Sequence, residues 1–262
     1  MKVISSKDNK IFKQCQSLLT KKYRDKLGLY LVEGDKLVEE ACNAGLVDML
    51  IYRGDYSKGI HYQGEDIVFM EGKLFEKLAQ TKTSQGCIAV VRKQKTTLEQ
   101  FKKHICEDHG NVVVLDRLQD PGNIGTIIRT CDAAEYKGII ALKETADIYS
   151  MKVIRAAAGS VLRLPILHVD TTEEAVAILK DCGKQIIGTT LDTDIYVNQV
   201  DMSKDTAVVI GNEGNGMSET FKKATDINVK IQMNPKVDSL NAAVAAGIII
   251  YQSKGSVINN GK

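Results

Sequence analysis

The spacing of hydrophobic positions changes several times along the chain, and each change marks an element. Ile11, Cys15, Leu18 and Leu19 recur at helical intervals and predict a helix over 9–19. Short apolar runs at 30–32, 47–52, 66–70 and 87–91 read as strands. Between them, 35–44 and 72–79 read as helices, the first closed by Gly45, a residue favoured just past a helix end. This alternation predicts a small α/β unit over 1–95. The polar stretch 92–97 lacks apolar periodicity, and a short helix over 98–106 follows it; 96–108 is taken as the linker.

Over 109–262 the alternation is more regular. Strands are expected at 111–115, 138–142, 164–169, 185–190, 207–210 and 227–233. Helices are expected at 124–134, 149–157, 172–181, 218–224 and 240–252. Such strand–helix repetition predicts an α/β domain with a mostly parallel sheet covered on both faces, and ligands at the carboxyl ends of its strands.

Two stretches of this second unit stand apart. The apolar run 207–210 breaks into Gly211-Asn212-Glu213-Gly214-Asn215-Gly216-Met217, with three glycines in six positions. A β-branched run ending in glycines is a buried strand whose exit loop needs positive φ or close approach of backbone to a ligand. Farther on, Asp238 or Ser239 suits an N-cap, which would put Leu240 and Asn241 in a first helical turn with its unpaired N–H groups outward. Two such loops side by side make a pocket lined mainly by main chain, or they are two ordinary connections.

The other stretch begins the unit. Asp120-Pro121-Gly122-Asn123 is a turn signal, and Asn123 can cap the helix that follows. On that helix Gly125 and Arg129 are four apart and share a face. A cation there suits a phosphate or a polar nucleophile; the commoner fate of a lone arginine is a neighbouring carboxylate. No G-x-G-x-x-G with its downstream acid, no Walker A sequence and no G-x-S-x-G elbow occurs, which argues against a nicotinamide-dependent oxidoreductase.

Composition narrows the classes. Over 262 residues, 44% hydrophobic and 26% charged content are those of a soluble globular protein. No run approaches the roughly 18–20 apolar residues of a membrane span, and the N-terminus lacks the apolar region of a signal peptide, so a cytoplasmic location is expected. Cysteines 15, 42, 87, 106, 131 and 182 are scattered without a C-x-x-C, as free thiols in a reducing compartment would be. Histidines 61, 104, 109 and 168 are isolated, so they are expected to be surface or structural groups, and no metal is expected. The net charge is only +2, yet residues 1–26 carry Lys2, Lys7, Lys10, Lys13, Lys21, Lys22, Arg24 and Lys26 against Asp8 and Asp25. That excess suits a polyanion such as RNA; a solvated helix face explains it equally well.

Taken together, Asn123-x-Gly125-x-x-x-Arg129, Gly211-x-Glu213-x-x-Gly216 with Met217, and Ser239-Leu240-Asn241 resemble, in order and spacing, the three motifs of the SpoU (TrmH-like) RNA 2′-O-ribose methyltransferases of the SPOUT class. Ser150-x-Lys152-Val153, Gly159-Ser160, Leu164-Pro165 and Gly188-Thr189-Thr190-Leu191 are similar to the family's linking features. Leu31-Val32-Glu33-Gly34 and Gln85-Gly86 resemble its L30e-like substrate-binding domain, so the likeness spans nearly the whole chain. Departures are confined to three places. Ile231-Gln232-Met233 replaces Ile-Pro-Met, Ser150-Met151-Lys152 replaces Ser-Pro-Lys, and Ala157 stands where relatives often carry a serine.

The resemblance implies a deep trefoil knot in the C-terminal domain, a homodimer whose active site uses both knots, and S-adenosylmethionine bent among the knot loops. Thr189, Gly211, Gly216, Ile231 and Leu240 would line the cofactor. A ribose hydroxyl is a poor nucleophile, so it needs in-line positioning and a field that favours the alkoxide. Arg129 is the implied activating group; since a guanidinium stays protonated, it acts as an electrostatic stabiliser, with an RNA phosphate taking the proton. Asn123 would shape its loop, Glu213 would orient Arg129 or the ribose, and Ser239 and Asn241 would hold substrate or the cofactor loop. A large structured RNA, 23S ribosomal RNA before tRNA, is the expected substrate. A non-catalytic RNA-binding protein with a vestigial knot is the alternative.

Overall fold

A computed structural model describes residues 3–258 except 58, 59, 61, 63, 65, 82 and 108, so Lys2 of the basic arm and His61 lie outside the described residues. Through residue 92 the elements are β1 (Val3–Ile4), α1 (Lys10–Ser17), α2 (Lys21–Leu27), β2 (Leu29–Glu33), α3 (Asp35–Asn43), β3 (Val47–Arg53), β4 (Ile67–Met70), α4 (Gly72–Phe75) and β5 (Cys87–Arg92). There follow α5 (Leu98–Glu107), β6 (Val112–Leu115), α6 (Pro121–Ala133), β7 (Gly138–Leu142), α7 (Met151–Ala157), β8 (Ile166–Val169) and α8 (Thr172–Asp181). The chain ends with β9 (Gln185–Thr189), β10 (Thr206–Ile210), α9 (Glu219–Ala224), β11 (Ile227–Val229) and α10 (Ala242–Ile258).

These elements form two compact units: 1–95 with 147–162, and 96–146 with 163–262. In the first, the sheet runs β1-β4-β3-β5-β2, with β4 parallel to β1 and β3, and β5 antiparallel to β3 and β2. The apolar face of α1 (Phe12 and Cys15, with Leu18 just beyond) packs on Leu31, Ile51 and Ile88 of the sheet. Asn9 starts that helix by accepting from the Ile11 amide at 2.8 Å.

Helix α2 has no apolar periodicity, because its one buried residue is Arg24. The guanidinium bonds Asp147 through Nε (2.8 Å) and Nη2 (2.5 Å) and the Leu18 carbonyl through Nη1 (2.6 Å). Arg24 is therefore a structural member of the unit and is subtracted from the basic arm; Lys13 is paired too, with Asp8 at 2.8 Å. The partner Asp147 opens the segment 147–162, whose Met151 enters the same core and whose Tyr149 ring lies 5.1 Å from Tyr30. With side chains only 6% and 12% exposed, the pair cannot lose one member cheaply. Arg24→Met strands a carboxylate among apolar groups, so the unfolding midpoint of the first unit in urea should fall by the equivalent of about 3–5 kcal/mol. A companion Asp147→Leu change should restore most of that loss.

In the second unit all six strands are parallel, in the order β11-β9-β10-β6-β7-β8. Every residue of β6, β7 and β10 is buried, as continuous apolar runs covered on both faces require. The stretch expected to be a linker, 96–108, is mostly α5, whose Phe101 and Ile105, one turn apart, enter this core beside Ile140, Leu167 and Leu179. His109 is structural as expected: its Nδ1 lies 2.8 Å from Asp205, which also pairs with the buried Lys184 at 2.7 Å.

Of the boundaries that differ from expectation, three bear on the site. The last strand ends at Val229 rather than 233, since Lys230 leaves the sheet to bridge Tyr196. Helix α6 is capped by Asp120, whose Oδ1 accepts from the Asn123 amide at 2.8 Å with Pro121 in the first helical position, so Asn123 lies inside the first turn. The final helix starts at Ala242, and its cap is Asn241, which accepts from the amides of Ala243 (2.9 Å) and Val244 (3.2 Å). Neither Asp238 nor Ser239 caps it, and Leu240 and Asn241 precede it.

Candidate active site

Strand order reverses between β6 and β10. The chain leaves β6 toward β7 on one side and leaves β10 toward β11 on the other, and a crevice at the carboxyl ends is the consequence. A cavity of about 780 Å³ opens there. Its walls are the loops that leave β9 (189–192), β10 (210–217) and β11 (230–231 and Met233), the approach to α10 (239–242), Ala245 and Ile249 of α10, and Asn123 of α6. The size falls within the range of small-molecule sites.

Gly211 and Gly216 explain the loop after β10. A Cβ on Gly211 would stand 2.3 Å from the Gly216 carbonyl carbon and 2.4 Å from the Met217 amide nitrogen, so only glycine lets these two backbone segments meet. Gly216 turns the chain with φ +65°. Between them, the backbones of Asn212 and Gly216 exchange two hydrogen bonds, of 3.0 and 2.8 Å. The Asn212 Oδ1 accepts from the amides of Gly214 and Asn215, both at 3.0 Å.

The three sequence motifs meet at this rim. The Asn241 Nδ2 donates to Asn123 Oδ1 at 2.9 Å, and the Asn123 Nδ2 donates to Glu213 Oε1 at 3.2 Å. Glu213 also accepts from the amides of Gln119 and Asp120, each at 3.1 Å. Partial burial tends to raise its pKa, but the backbone amides and the Asn123 amide outweigh that and hold it below the usual carboxylate range. At neutral pH Glu213 is an anion whose bonds fasten loop 119–123, and among the described residues it pairs with no arginine.

Of the residues expected in the site, Asn123, Thr189, Gly211, Glu213, Gly216, Ile231, Ser239, Leu240 and Asn241 line the cavity together. Arg129 does not. It sits six residues along α6 from Asn123, about 9 Å up the axis, on the exposed side of the helix and without a hydrogen-bond or ion-pair partner among the described residues. Gly125, expected to share its face, is buried. The neighbouring carboxylate that commonly claims an arginine is thus absent from Arg129 among those residues.

Sequence reading passed over Asp116 and Arg117. Asp116 is fully buried at the end of β6, with Arg117 Nε on one oxygen (2.8 Å) and the Ser218 amide on the other (2.5 Å). The signal was available: two opposite charges directly after four buried apolar residues need an explanation, since a lone carboxylate there would be costly. Lys222 and Asp192 also face the cavity, Lys222 pairing with Glu219 at 2.7 Å.

The lining fits S-adenosylmethionine. Ile210, Met217, Ile231, Leu240 and Ile249 offer apolar walls for an adenine, main chain approaches where Gly211 omits a Cβ, and Thr189, Asp192 and Asn215 supply polar groups. Among the described residues no cluster of potential metal ligands exists.

Comparison with known proteins agrees with this geometry. Residues 110–251 match the model of the SpoU rRNA Methylase family, and residues 9–89 match that of the MRM3-like substrate binding domain. The chain is 32% identical over 257 residues to the 23S rRNA (guanosine(2553)-2'-O)-methyltransferase RlmP of Bacillus subtilis (strain 168), covering 97% of this chain and 100% of that protein. An AdoMet-bound rRNA methyltransferase from Sinorhizobium meliloti superimposes with a TM-score of 0.86 at 28% identity, over 98% of each chain. The SpoU methyltransferase AviRb from Streptomyces viridochromogenes, in complex with AdoMet, gives 0.86 at 30% identity over 95% of this chain and 98% of that one. This chain belongs to the SpoU rRNA methylase family and is an RNA methyltransferase that uses S-adenosylmethionine.

Proposed function

We propose that the protein methylates the 2′-hydroxyl of one ribose in a large structured RNA, 23S ribosomal RNA, as a cytoplasmic homodimer. The observation that carries this reading is the hydrogen-bonded run Asn241–Asn123–Glu213, which ties all three motifs together at the mouth of the cavity. The likeness to RlmP along the whole chain favours ribosomal RNA over tRNA. The N-terminal unit, residues 1–95, supplies RNA contacts, and its exposed Lys7, Lys10, Lys21, Lys22 and Lys26 suit phosphates. The second unit performs the transfer, its C-terminal segment threaded as the family's trefoil knot.

When bound, S-adenosylmethionine supplies an electrophilic methyl on a sulfonium. With Thr189, Gly211, Gly216, Ile231 and Leu240 holding the cofactor, its methyl would pass to the ribose oxygen with the sulfur as leaving group, and an RNA phosphate would take the hydroxyl proton. Asn123 and Glu213 fix the loop that flanks the reacting groups, and Ser239 and Asn241 hold the approach to α10. Arg129 stabilises the developing alkoxide. Since Arg129 lies outside its own cavity's lining, it acts on the partner's. Val244 (52% exposed), Ile248 (41%) and Tyr251 (51%) recur at i, i+4 and i+7 on α10, which packs against α6. A second copy covers that apolar stripe and carries each Arg129 toward the other crevice.

Mapping ribose methylation across total RNA, with and without the protein, tests the proposal. A single new 2′-O-methyl position in 23S RNA is the expected result. Methylation confined to tRNA would move the substrate. RNA binding without tritiated-methyl transfer would leave a non-catalytic binder.

A further inference from the structure

Asp116 and Arg117 are absent from the three motifs, and neither lines the cavity, yet together they touch both ends of the loop that does. Arg117 holds φ at +63°, a left-handed conformation that a residue with a long side chain adopts at a cost. Structure around it must repay that strain, and the hydrogen bonds show where. Its carbonyl accepts from Asn212 Nδ2 at 2.9 Å, at the start of the loop. Its Nη2 donates to the Gly216 carbonyl at 3.4 Å, at the loop's end. Through Nε it binds Asp116, whose second oxygen takes the Ser218 amide where α9 begins. One oxygen of this fully buried carboxylate thereby holds Arg117 and the other holds the segment just past the cavity loop.

We infer that Asp116 and Arg117 are positioning residues for methyl transfer, a buried ion pair that holds loop 211–217 in the shape that receives S-adenosylmethionine. Neither residue touches the reacting atoms; they act through Asn212, Gly216 and Ser218. The pair directly follows β6, and its hydrogen bonds reach across the reversal in strand order to the loop that leaves β10. Without it the exposed glycine-rich loop keeps its sequence but samples many shapes, and the cofactor must select among them. The effect belongs in cofactor affinity, whereas loss of Arg129 belongs in the chemical step.

The inference rests on the reading of this cavity as the cofactor site, and calorimetry with S-adenosylmethionine on the full-length protein separates the two. If the wild-type chain does not bind, the reading of the cavity fails. Given wild-type binding, Arg117→Asn keeps a residue tolerant of the left-handed backbone while removing the guanidinium. It should weaken S-adenosylmethionine binding about tenfold and raise the cofactor KM in parallel, with kcat at saturation changed by less than about threefold. Asp116→Asn should do the same, and the double variant should be little worse than either single, because the two act as one unit. Wild-type affinity in both single variants would overturn the inference. So would a loss confined to kcat, or losses that simply add in the double variant. A parallel melting curve identifies a variant that fails to fold; Arg117, partly exposed, is the milder of the two sites and then decides the matter.

Discussion

Arg129→Ala should lower methyl transfer by roughly 10²–10³-fold while S-adenosylmethionine binds within about twofold of wild type. The expected split follows from where the side chain stands. Arg129 is absent from the cavity lining, so its removal takes nothing from the cofactor's walls. No hydrogen bond or ion pair among the described residues depends on it, so the fold should not register the loss either. An exposed guanidinium with no partner among the described residues, on a helix whose first turn lines the site, is open to a group from outside its own chain. A developing alkoxide next to RNA phosphates is a fitting target, because a fixed cation there needs no reorganisation at the moment of reaction. Arg129→Lys keeps the charge and loses the planar fork, and should recover only part of the rate. Single-turnover transfer of a tritiated methyl group measures the chemical step, and calorimetry measures the cofactor. Retained turnover in Arg129→Ala would remove the residue from the mechanism; a collapse of cofactor affinity would place it in the cavity instead. Mixing Arg129→Ala chains one to one with chains disabled in the cofactor loop should restore about a quarter of wild-type activity, since about half of the dimers are then mixed and each mixed dimer carries one intact site of its two.

Much of the frame could be read in the sequence because its signals are local. The apolar runs of β6, β7 and β10 are buried on both faces and show as unbroken hydrophobic stretches. Gly211 and Gly216 announce a loop with unusual backbone demands, and the demands are there. What escaped is what other parts of the chain decide. Helix α2 presents Lys-Lys-Tyr-Arg-Asp-Lys-Leu, and nothing in it signals that Arg24 is bonded to a carboxylate 123 residues away. Asp238 and Ser239 look like better caps than Asn241 until Asn123, 118 residues upstream, is seen to hold the Asn241 amide while its oxygen caps the helix. Glu213 was expected to orient Arg129 or the ribose, and nothing local signals the three N–H donors from 119–123 that it accepts from. Segment 147–162 belongs by sequence with the parallel sheet and by packing with the other unit, a choice set by Arg24, Tyr30 and the Met151 pocket. The residues that line the cavity were thus legible as a set, with Arg129 standing apart from it. Their hydrogen-bond partners were not.

Gly211→Ala should abolish cofactor binding, weakening it by at least about 100-fold, whereas Gly214→Ala in the same loop should change it by less than about threefold. Both substitutions add one methyl group to an exposed glycine-rich turn, so propensity alone treats them alike. Space does not. The new Cβ at 211 would fall 2.3 Å from one backbone atom, 2.4 Å from a second and 2.8 Å from a third, all in Gly216 and Met217. Backbone cannot swing aside as a side-chain tip can, so the two segments must part by several tenths of an ångström or more. Parting them breaks the paired Asn212–Gly216 hydrogen bonds, and with them the geometry that lets Arg117 reach both ends of the loop. At 214 the nearest atom is a side-chain oxygen 3.7 Å away and φ is not positive, so an alanine meets ordinary contact. Displacing binding groups by this much forfeits about two orders of magnitude, and here the displaced groups are the wall itself. Calorimetry on the two variants, with melting curves to show that both remain folded, gives the comparison. Equal affinity in the pair would mean that the loop does not hold the cofactor, whatever else the cavity contains.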